Sequence, residues 1–208
     1  MSQNADPHIK YFKIDDAINA SINSETAFIL ANERKTSNGN IGRYFLVFNR
    51  FKDFLKNRKA YPHCHEILVD HAKAKPNLGG RLVFDFDIKK NSEGENPLQI
   101  PDNFKNQIKD IVYEVAERYF HDVDISLFQF IWSTSQNPNK FSKHLTVKNL
   151  YFDDWLSLSK IYYKLFCQLW DEKYDWISSD KLIDSQIIRK RGSLRMVGST
   201  KIGGYPLV

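Results

Sequence analysis

The sequence predicts an α+β fold, a mostly antiparallel sheet with helices packed against it. Three observations carry that expectation. Short runs rich in β-branched and aromatic residues, several of them alternating apolar with polar, recur between turn-forming clusters. Two longer segments instead place their apolar residues at helical spacing: Phe104, Ile108, Ile111, Val112, Val115 and Tyr119 in one, Trp155, Leu158, Tyr162, Leu165 and Leu169 in the other. Strands and helices do not alternate in the regular way a parallel sheet needs, and the chain shows no internal repeat.

In chain order, residues 9–22 read as an amphipathic helix. "TAFILA" (Thr26–Ala31) and "GRYFLVF" (Gly42–Phe48) read as strands separated by the turn-rich "ERKTSNGNIG". "NRFKDFLKNRK" reads as a short helix capped by Asn49. "HEILVD" (His65–Asp70) and "RLVFDFDI" (Arg81–Ile88) are further strands, and the polar "HAKAKPNLGG" between them is expected to close a hairpin. After the polar "KKNSEGENPLQIP", Asp102 is expected to cap the helix that runs to Phe120. "LFQFIWST" (Leu127–Thr134) and "FSKHLTVKNLYF" (Phe141–Phe152) follow as strands joined by "SQNPNK", and a helix starts near Asp153. The tail segments "KLIDSQII" and "SLRMVGS" read as short strands.

With 208 residues, 42% of them hydrophobic, the chain has enough apolar mass for a core and reads as a single domain, 1–208. No apolar run approaches the ~18 residues of a membrane span, the first residues lack the apolar stretch of a signal peptide, and Cys64 and Cys167 are too few for a disulfide framework. An intracellular protein without a membrane partner is expected. The net charge is +5, and residues 189–201 carry Arg189, Lys190, Arg191, Arg195 and Lys201 with no acid, so the rest of the chain is balanced. Such a basic patch suits a polyanion, nucleic acid or nucleoside triphosphate, or is simply a solvated loop.

Asp85 and Asp87 break an otherwise apolar strand, where a buried carboxylate costs several kcal/mol unless compensated. Alternation puts Val83, Asp85 and Asp87 on one face and Phe84, Phe86 and Ile88 on the other. At ~3.3 Å rise per residue the two carboxylates start roughly 7 Å apart and can converge on hard divalent cations such as Mg²⁺ or Mn²⁺. A strand with one solvated face also shows D-x-D, so the pair alone decides nothing. In "FSKHLTV", Ser142, His144 and Thr146 share a face opposite Phe141, Lys143, Leu145 and Val147. A hydroxyl and an imidazole so placed can donate to phosphate oxygens, although an isolated S-x-H is usually an ordinary strand. In "LIDSQIIRKRGSLRMVGSTK", Asp184 follows an apolar pair and precedes the basic run, whose guanidinium groups match phosphate through a planar fork.

The order D-x-D, S-x-H, then apolar-Asp followed by R-x-x-x-R-x-x-x-S-x-K (Arg191, Arg195, Ser199, Lys201) resembles the archaeo-eukaryotic primase superfamily. The primase-polymerase branch, which includes herpesvirus primase subunits and primase-helicases of large DNA viruses, is the nearest likeness. The matching segments are Leu82–Asp87, Phe141–His144 and Leu182–Lys201, with "HCHEILVDH" leading into the first. The resemblance implies an RRM-like sheet as the catalytic core, 61–208, with residues 1–60 as accessory elements. Asp85, Asp87 and Asp184 would be catalytic and hold two divalent metal ions, Mg or Mn. Ser142, Lys143 and His144 would contact the incoming nucleotide, and Arg189, Arg191, Arg195 and Lys201 the triphosphate or template.

The implied activity is metal-dependent DNA primase/polymerase, joining NTPs or dNTPs on a single-stranded DNA template at the replication site. A helicase domain would act in cis or in trans, and the chain would be the N-terminal part of a longer replication protein. Two-metal displacement needs no side-chain nucleophile, because positioning and charge neutralisation supply most of the catalysis. The chain departs from the family in carrying Ile188 where a tyrosine is expected, and it has no Cys/His zinc-binding element after the third motif, an element that relatives use to start chains. No GxxxxGK[ST] loop is present either.

Two other readings compete. A catalytically silent RRM-like module that binds single-stranded nucleic acid predicts aromatic side chains on the open sheet face. A nucleotide-sugar transferase using D-x-D for Mn²⁺ predicts an alternating α/β unit before it. His63, Cys64, His65 and His71 are close in sequence, but alternation separates Cys64 from its histidine neighbours, which disfavours a shared zinc site. Trp155, Tyr162, Tyr163, Phe166 and Trp170 read as helix core rather than a stacking platform.

Overall fold

Residues 9–22, 24, 27–68, 80–89 and 99–208 are described by the structure, a computed structural model, and their packing falls into two units: Met1–Leu78 with Arg189–Val208, and Gly79–Ile188. Both are α+β, each an antiparallel sheet flanked by helices.

The first unit is built on β1 (Phe28–Lys35), β2 (Ile41–Phe48), β3 (Cys64–Leu68) and β7 (Gly192–Arg195), in the order β2-β1-β3-β7. β1 and β2 pair along their whole length, from Phe28↔Phe48 to Lys35↔Ile41. The turn is therefore only Thr36–Asn40, and "ERK" belongs to the strand rather than to the loop. Gly39 sits there at φ +82°, a left-handed conformation that glycine adopts without steric cost. Only Ile14–Ser21 of the expected first helix is helical (α1), because Tyr11 instead bridges Phe45 of β2 through two backbone hydrogen bonds of 2.9 and 2.7 Å. α1 lays Ile14, Ala17 and Ile18 against Ile29, Ala31, Val47 and Ile67 on one sheet face. Leu30, Leu46, Phe48 and Cys64 pack with Phe54 of α2 (Phe51–Asn57) on the other. Asn49 is not the cap of α2: that position is Arg50, whose guanidinium pairs with Asp53 at 2.8 Å.

The second unit holds β4 (Gly80–Lys89), β5 (Gln129–Thr134) and β6 (Lys140–Phe152) in the order β4-β6-β5, with α3 (Phe104–Tyr119), α4 (Trp155–Lys173) and the single turn α5 (Ser179–Leu182). Its core is aromatic. Phe84 stacks on Tyr163 at 4.8 Å between centroids, Phe86 on Trp132 at 5.7 Å, and Phe104 meets Phe86, Trp132 and Phe141 edge to face. The hydroxyls of Tyr162 and Tyr163 donate to Val112 O and Val83 O, both at 2.5 Å, so their polar tips are satisfied inside the core. Trp155, Tyr162, Tyr163, Phe166 and Trp170 are all buried, as their spacing predicts. A register shift at Arg81/Leu82 marks a bulge in β6, where Asn149 takes φ 69° and its amide donates to Leu127 O.

Three expectations are corrected here. β3 pairs with β1 and β7 and β4 with β6, so the segment between them does not close a hairpin; residues 69–79, which include Val69, Asp70 and His71, lie outside the described residues, as do 90–98. Asp102 does not cap α3: the cap position is Asn103, and the first-turn N–H groups of Phe104 and Asn106 donate to the carbonyls of Pro101 and Asn103. "KLIDSQII" is not a strand but α5 followed by a 3-10 turn (Ser185–Ile187), touching the sheet only where Ile183 bridges Phe86. Among the described residues, no helix is long and apolar enough to cross a membrane.

Gly80 opens β4 where Trp155 lies against the backbone. A Cβ there would stand 2.2 Å from Trp155 Cγ, and the indole is held by its own donation to Arg81 O at 2.9 Å. Gly80→Ala is expected to lower stability by about 2 kcal/mol or more through forced repacking, read as a lower denaturant midpoint at unchanged slope.

Candidate active site

The pairing of β4 with β6 aligns two of the sequence motifs residue by residue. Asp85 lies opposite His144, and Asp87 opposite Ser142. In an antiparallel pair, directly opposite residues project to the same face, so the carboxylates, hydroxyl and imidazole share one surface. The far side of β4 carries Phe84, Phe86 and Ile88 into the aromatic core. Along the near face, burial decreases from Val83, which is fully buried, through Asp85 to Asp87, whose side chains are 20% and 37% exposed. Sheet packing thus places the two acids where the core opens toward solvent.

The third motif reaches the same strand from its other edge. Ile183 bridges Phe86, and Asp184 N–H donates to Asp85 O at 2.8 Å. Asp184 is thereby fixed beside Asp85, and its carboxylate accepts from Gln186 N at 2.9 Å, capping the turn that follows. His144 is buried, with Nε2 3.5 Å from Asp85 Oδ1. Asp87 accepts from Lys140 Nζ at 2.8 Å.

Lys140 was not among the expected site residues. It lies diagonally across the strand pair from Asp87 and has the same parity as Ser142 and His144, a relation that becomes visible once β4 and β6 are paired. Ser133 of β5, opposite His144 on the same face and buried, was likewise missed. Lys143 projects to the opposite face, where its ammonium donates to Thr134 Oγ1 at 2.9 Å and stands 5.0 Å from the Phe141 ring centroid. Burial, with Lys105 nearby, holds its pKa below the ordinary lysine value.

The donor set suits a hard divalent cation: three carboxylates, joined on neighbouring backbone, with no sulfur. Among the described residues, no three His, Cys, Asp or Glu side chains are gathered into a ready cage. Asp87 and Asp184 each hold another donor, so a cation would draw them over by side-chain rotation. At Asp87 the competitor is a half-exposed ion pair, which is worth little in water. The residues therefore suit such an ion in kind, and Asp87 and Asp184 would have to leave their present donors to gather around it.

The basic series belongs to the first unit. Arg195 is buried, lies opposite His65 in the β3–β7 ladder and donates to Tyr205 O at 2.8 Å. Arg191 takes φ 65° and pairs with Asp15. Arg189 and Lys201 are exposed. A charge cluster unnoticed in the sequence lies on the same sheet, with Glu33 and His65 buried and Arg43 exposed: Glu33 Oε1 is 3.1 Å from Arg43 and 3.2 Å from His65 Nε2, and Glu33 Oε2 accepts from Ile202 N at 3.3 Å. Burial alone would raise the Glu33 pKa, but Arg43, His65 and Ile202 N–H together hold it below the usual value. Burial, then Arg43, lowers that of His65 to about 4. Reading "ERK" as loop hid this cluster.

No protein-family model matches the chain. It is 58% identical over 221 residues to uncharacterized protein L537 of Acanthamoeba polyphaga mimivirus, a match covering 96% of this chain and 47% of that protein. It is 44% identical over 208 residues to uncharacterized protein L794 of the same virus, covering 95% of this chain and 56% of that protein. The chain spans about half the length of these curated relatives, and neither name states an activity.

Proposed function

We propose that the second unit is the catalytic core of a metal-dependent DNA primase/polymerase of the archaeo-eukaryotic primase kind. The observation that carries this reading is the register. Asp85↔His144, Asp87↔Ser142 and the Asp184 N–H to Asp85 O bond unite three motifs that lie far apart in sequence. The topology supports it too. The unit runs strand, helix, two strands, helix, then the Ile183 bridge, in the spatial order Ile183-β4-β6-β5, all antiparallel, which is the arrangement of an RRM-like sheet.

In this reading Asp85, Asp87 and Asp184 would hold two divalent cations, Mg or Mn. Bound there, such ions would activate the 3′-hydroxyl of the growing strand and neutralise the leaving pyrophosphate. Ser142 offers a hydroxyl to the phosphates of an incoming NTP or dNTP. His144, fixed by burial next to Asp85, orients that carboxylate through a ring N–H. Lys140 neutralises Asp87 until a cation replaces it. The exposed cations of the first unit, Arg189 and Lys201, give it a surface for nucleoside triphosphate or single-stranded template, with Arg191 able to exchange Asp15 for phosphate. A helicase domain, in the same chain or another, would complete the replication role inside the cell.

The silent binding module remains the second reading, because Lys140 and His144 already accompany the acids. Against it, the part of the face around Asp85, Asp87, Lys140, Ser142, His144, Ser133 and Ile131 bears no aromatic side chain on which bases stack, and the exposed aromatic of that face, Tyr151, stands opposite Arg81 at the other end of the strand pair. The test is incorporation of labelled nucleotides on single-stranded DNA with Mg²⁺ or Mn²⁺, primed and unprimed. Metal-dependent extension is expected. Binding of the template without any incorporation, at either metal, would leave the silent module as the function.

A further inference from the structure

A cavity lies in the same unit, on the helix side of the sheet. It measures about 360 Å³ and is lined by Lys160, Tyr163, Lys164 and Cys167 of α4 and by Ser185 and Ile188 of the turn after Asp184. The residues from α4 follow helical spacing, so they project from one side of the helix over successive turns. Lys160 and Lys164 are exposed, and neither has an ion-pair partner among the described residues. Like charges four residues apart oppose each other on a helix; the lining itself holds no carboxylate, the acids that act on Cys167, Asp171 and Asp180, standing outside it. The Tyr163 hydroxyl is committed to Val83 O and its ring is stacked on Phe84, so that Tyr163 and Ile188, both buried, border the cavity only by their edges.

We propose that this cavity is a phosphate-binding subsite for one nucleotide unit, with Lys160 and Lys164 on the phosphate, Ser185 donating to it, and the nucleoside resting on the edges of Tyr163 and Ile188. The volume is at the small end of ligand pockets, enough for a single nucleotide and little more. Two ammonium groups match a phosphate as point charges, and a hydroxyl adds direction. The source of the phosphate is either a free nucleotide or a phosphodiester of a bound strand. None of these side chains is one the nucleotidyl transfer uses, so the subsite stands whether or not the unit is a polymerase.

Cys167 supplies a reporter inside the cavity. It is the accessible one of the two cysteines, since Cys64 is buried against Met196 and Ser199. N-ethylmaleimide labelling, followed by intact mass, should slow roughly fivefold when dTMP or a short oligodeoxythymidylate is present near saturation. Protection by dTMP identifies a free-nucleotide subsite, and protection by the oligonucleotide alone a strand subsite. Lys160→Glu/Lys164→Glu should remove the protection, whereas the charge-matched Lys52→Glu/Lys56→Glu on α2 should keep it. The same three proteins titrated calorimetrically give an independent reading: dTMP or oligonucleotide affinity should fall roughly tenfold in the first double variant relative to the second. Equal affinity in the two double variants, or protection that survives Lys160→Glu/Lys164→Glu, overturns the assignment.

Discussion

Replacing both Asp85 and Asp87 with alanine is expected to lower templated nucleotide incorporation by about a thousandfold or more, with the fold retained. The size follows from what the two acids would do in the proposed reaction. Removing a single preorganised group that stabilises transition-state charge typically costs two to three orders of magnitude, and here the pair proposed to bind the cations is lost. The structural cost is small by comparison. Asp87 is half-exposed, and its pair with Lys140 is of the kind worth about 0–1 kcal/mol. Asp85 is more buried and stands beside His144, so its loss is felt more, on the order of 1–2 kcal/mol. Far-ultraviolet circular dichroism and the melting temperature report folding, and primer extension reports activity. Asp102→Ala/Asp153→Ala, which removes two exposed acids of the same unit, is the control and should keep full activity. Wild-type activity in the Asp85→Ala/Asp87→Ala variant would sink the assignment of the site.

Acidification from pH 7 to pH 4 should destabilise the first unit by about 3 kcal/mol through His65 alone. The imidazole is buried beside Arg43 and Glu33, and its pKa is lowered to about 4, against about 6.5 when unfolded. Between those values the unfolded chain binds a proton that the folded chain refuses, so stability falls as the pH drops through this window and levels off below it. Glu33 adds to the acid loss at lower pH: its folded pKa is depressed, so its contribution is present above the unfolded value and disappears as the carboxylate protonates. His65→Gln keeps a polar side chain but cannot titrate. Denaturant unfolding of the two proteins across pH 7 to 4, followed by a probe in the first unit, should give a steeper loss for the wild type. Parallel pH profiles would show that His65 is protonated as readily folded as unfolded.

The elements that were legible in the sequence are those whose signal is local. Helical spacing identified α3 and the aromatic α4, and alternation assigned faces within β4 and β6 correctly: Phe84, Phe86 and Ile88 inward, and Asp85 and Asp87 together on the other side. The misread helix starts have a local cause of another sort. Asn49 and Asp102 are good capping types, but Arg50 has Asp53 to bind, and the first turn of α3 finds backbone carbonyls instead. Residue preference cannot weigh such competing partners.

By itself, then, the chain's order of residues determined the α+β class, the periodic elements and the three acidic and polar motifs, because periods of two and of 3.6 are written in neighbouring residues. Tertiary structure decided what those motifs do to one another. Only strand pairing put Asp87 opposite Ser142 and Lys140 within reach of Asp87, and only the Ile183 bridge carried Asp184 to Asp85. It alone also returned β7 to β3, so that Arg195 faces His65, and buried Glu33 in a strand whose polar sequence reads as loop. The physical reason is range. A side chain's direction along a strand is a local property, whereas pairing partner and register are chosen by burial summed over residues far apart in the chain.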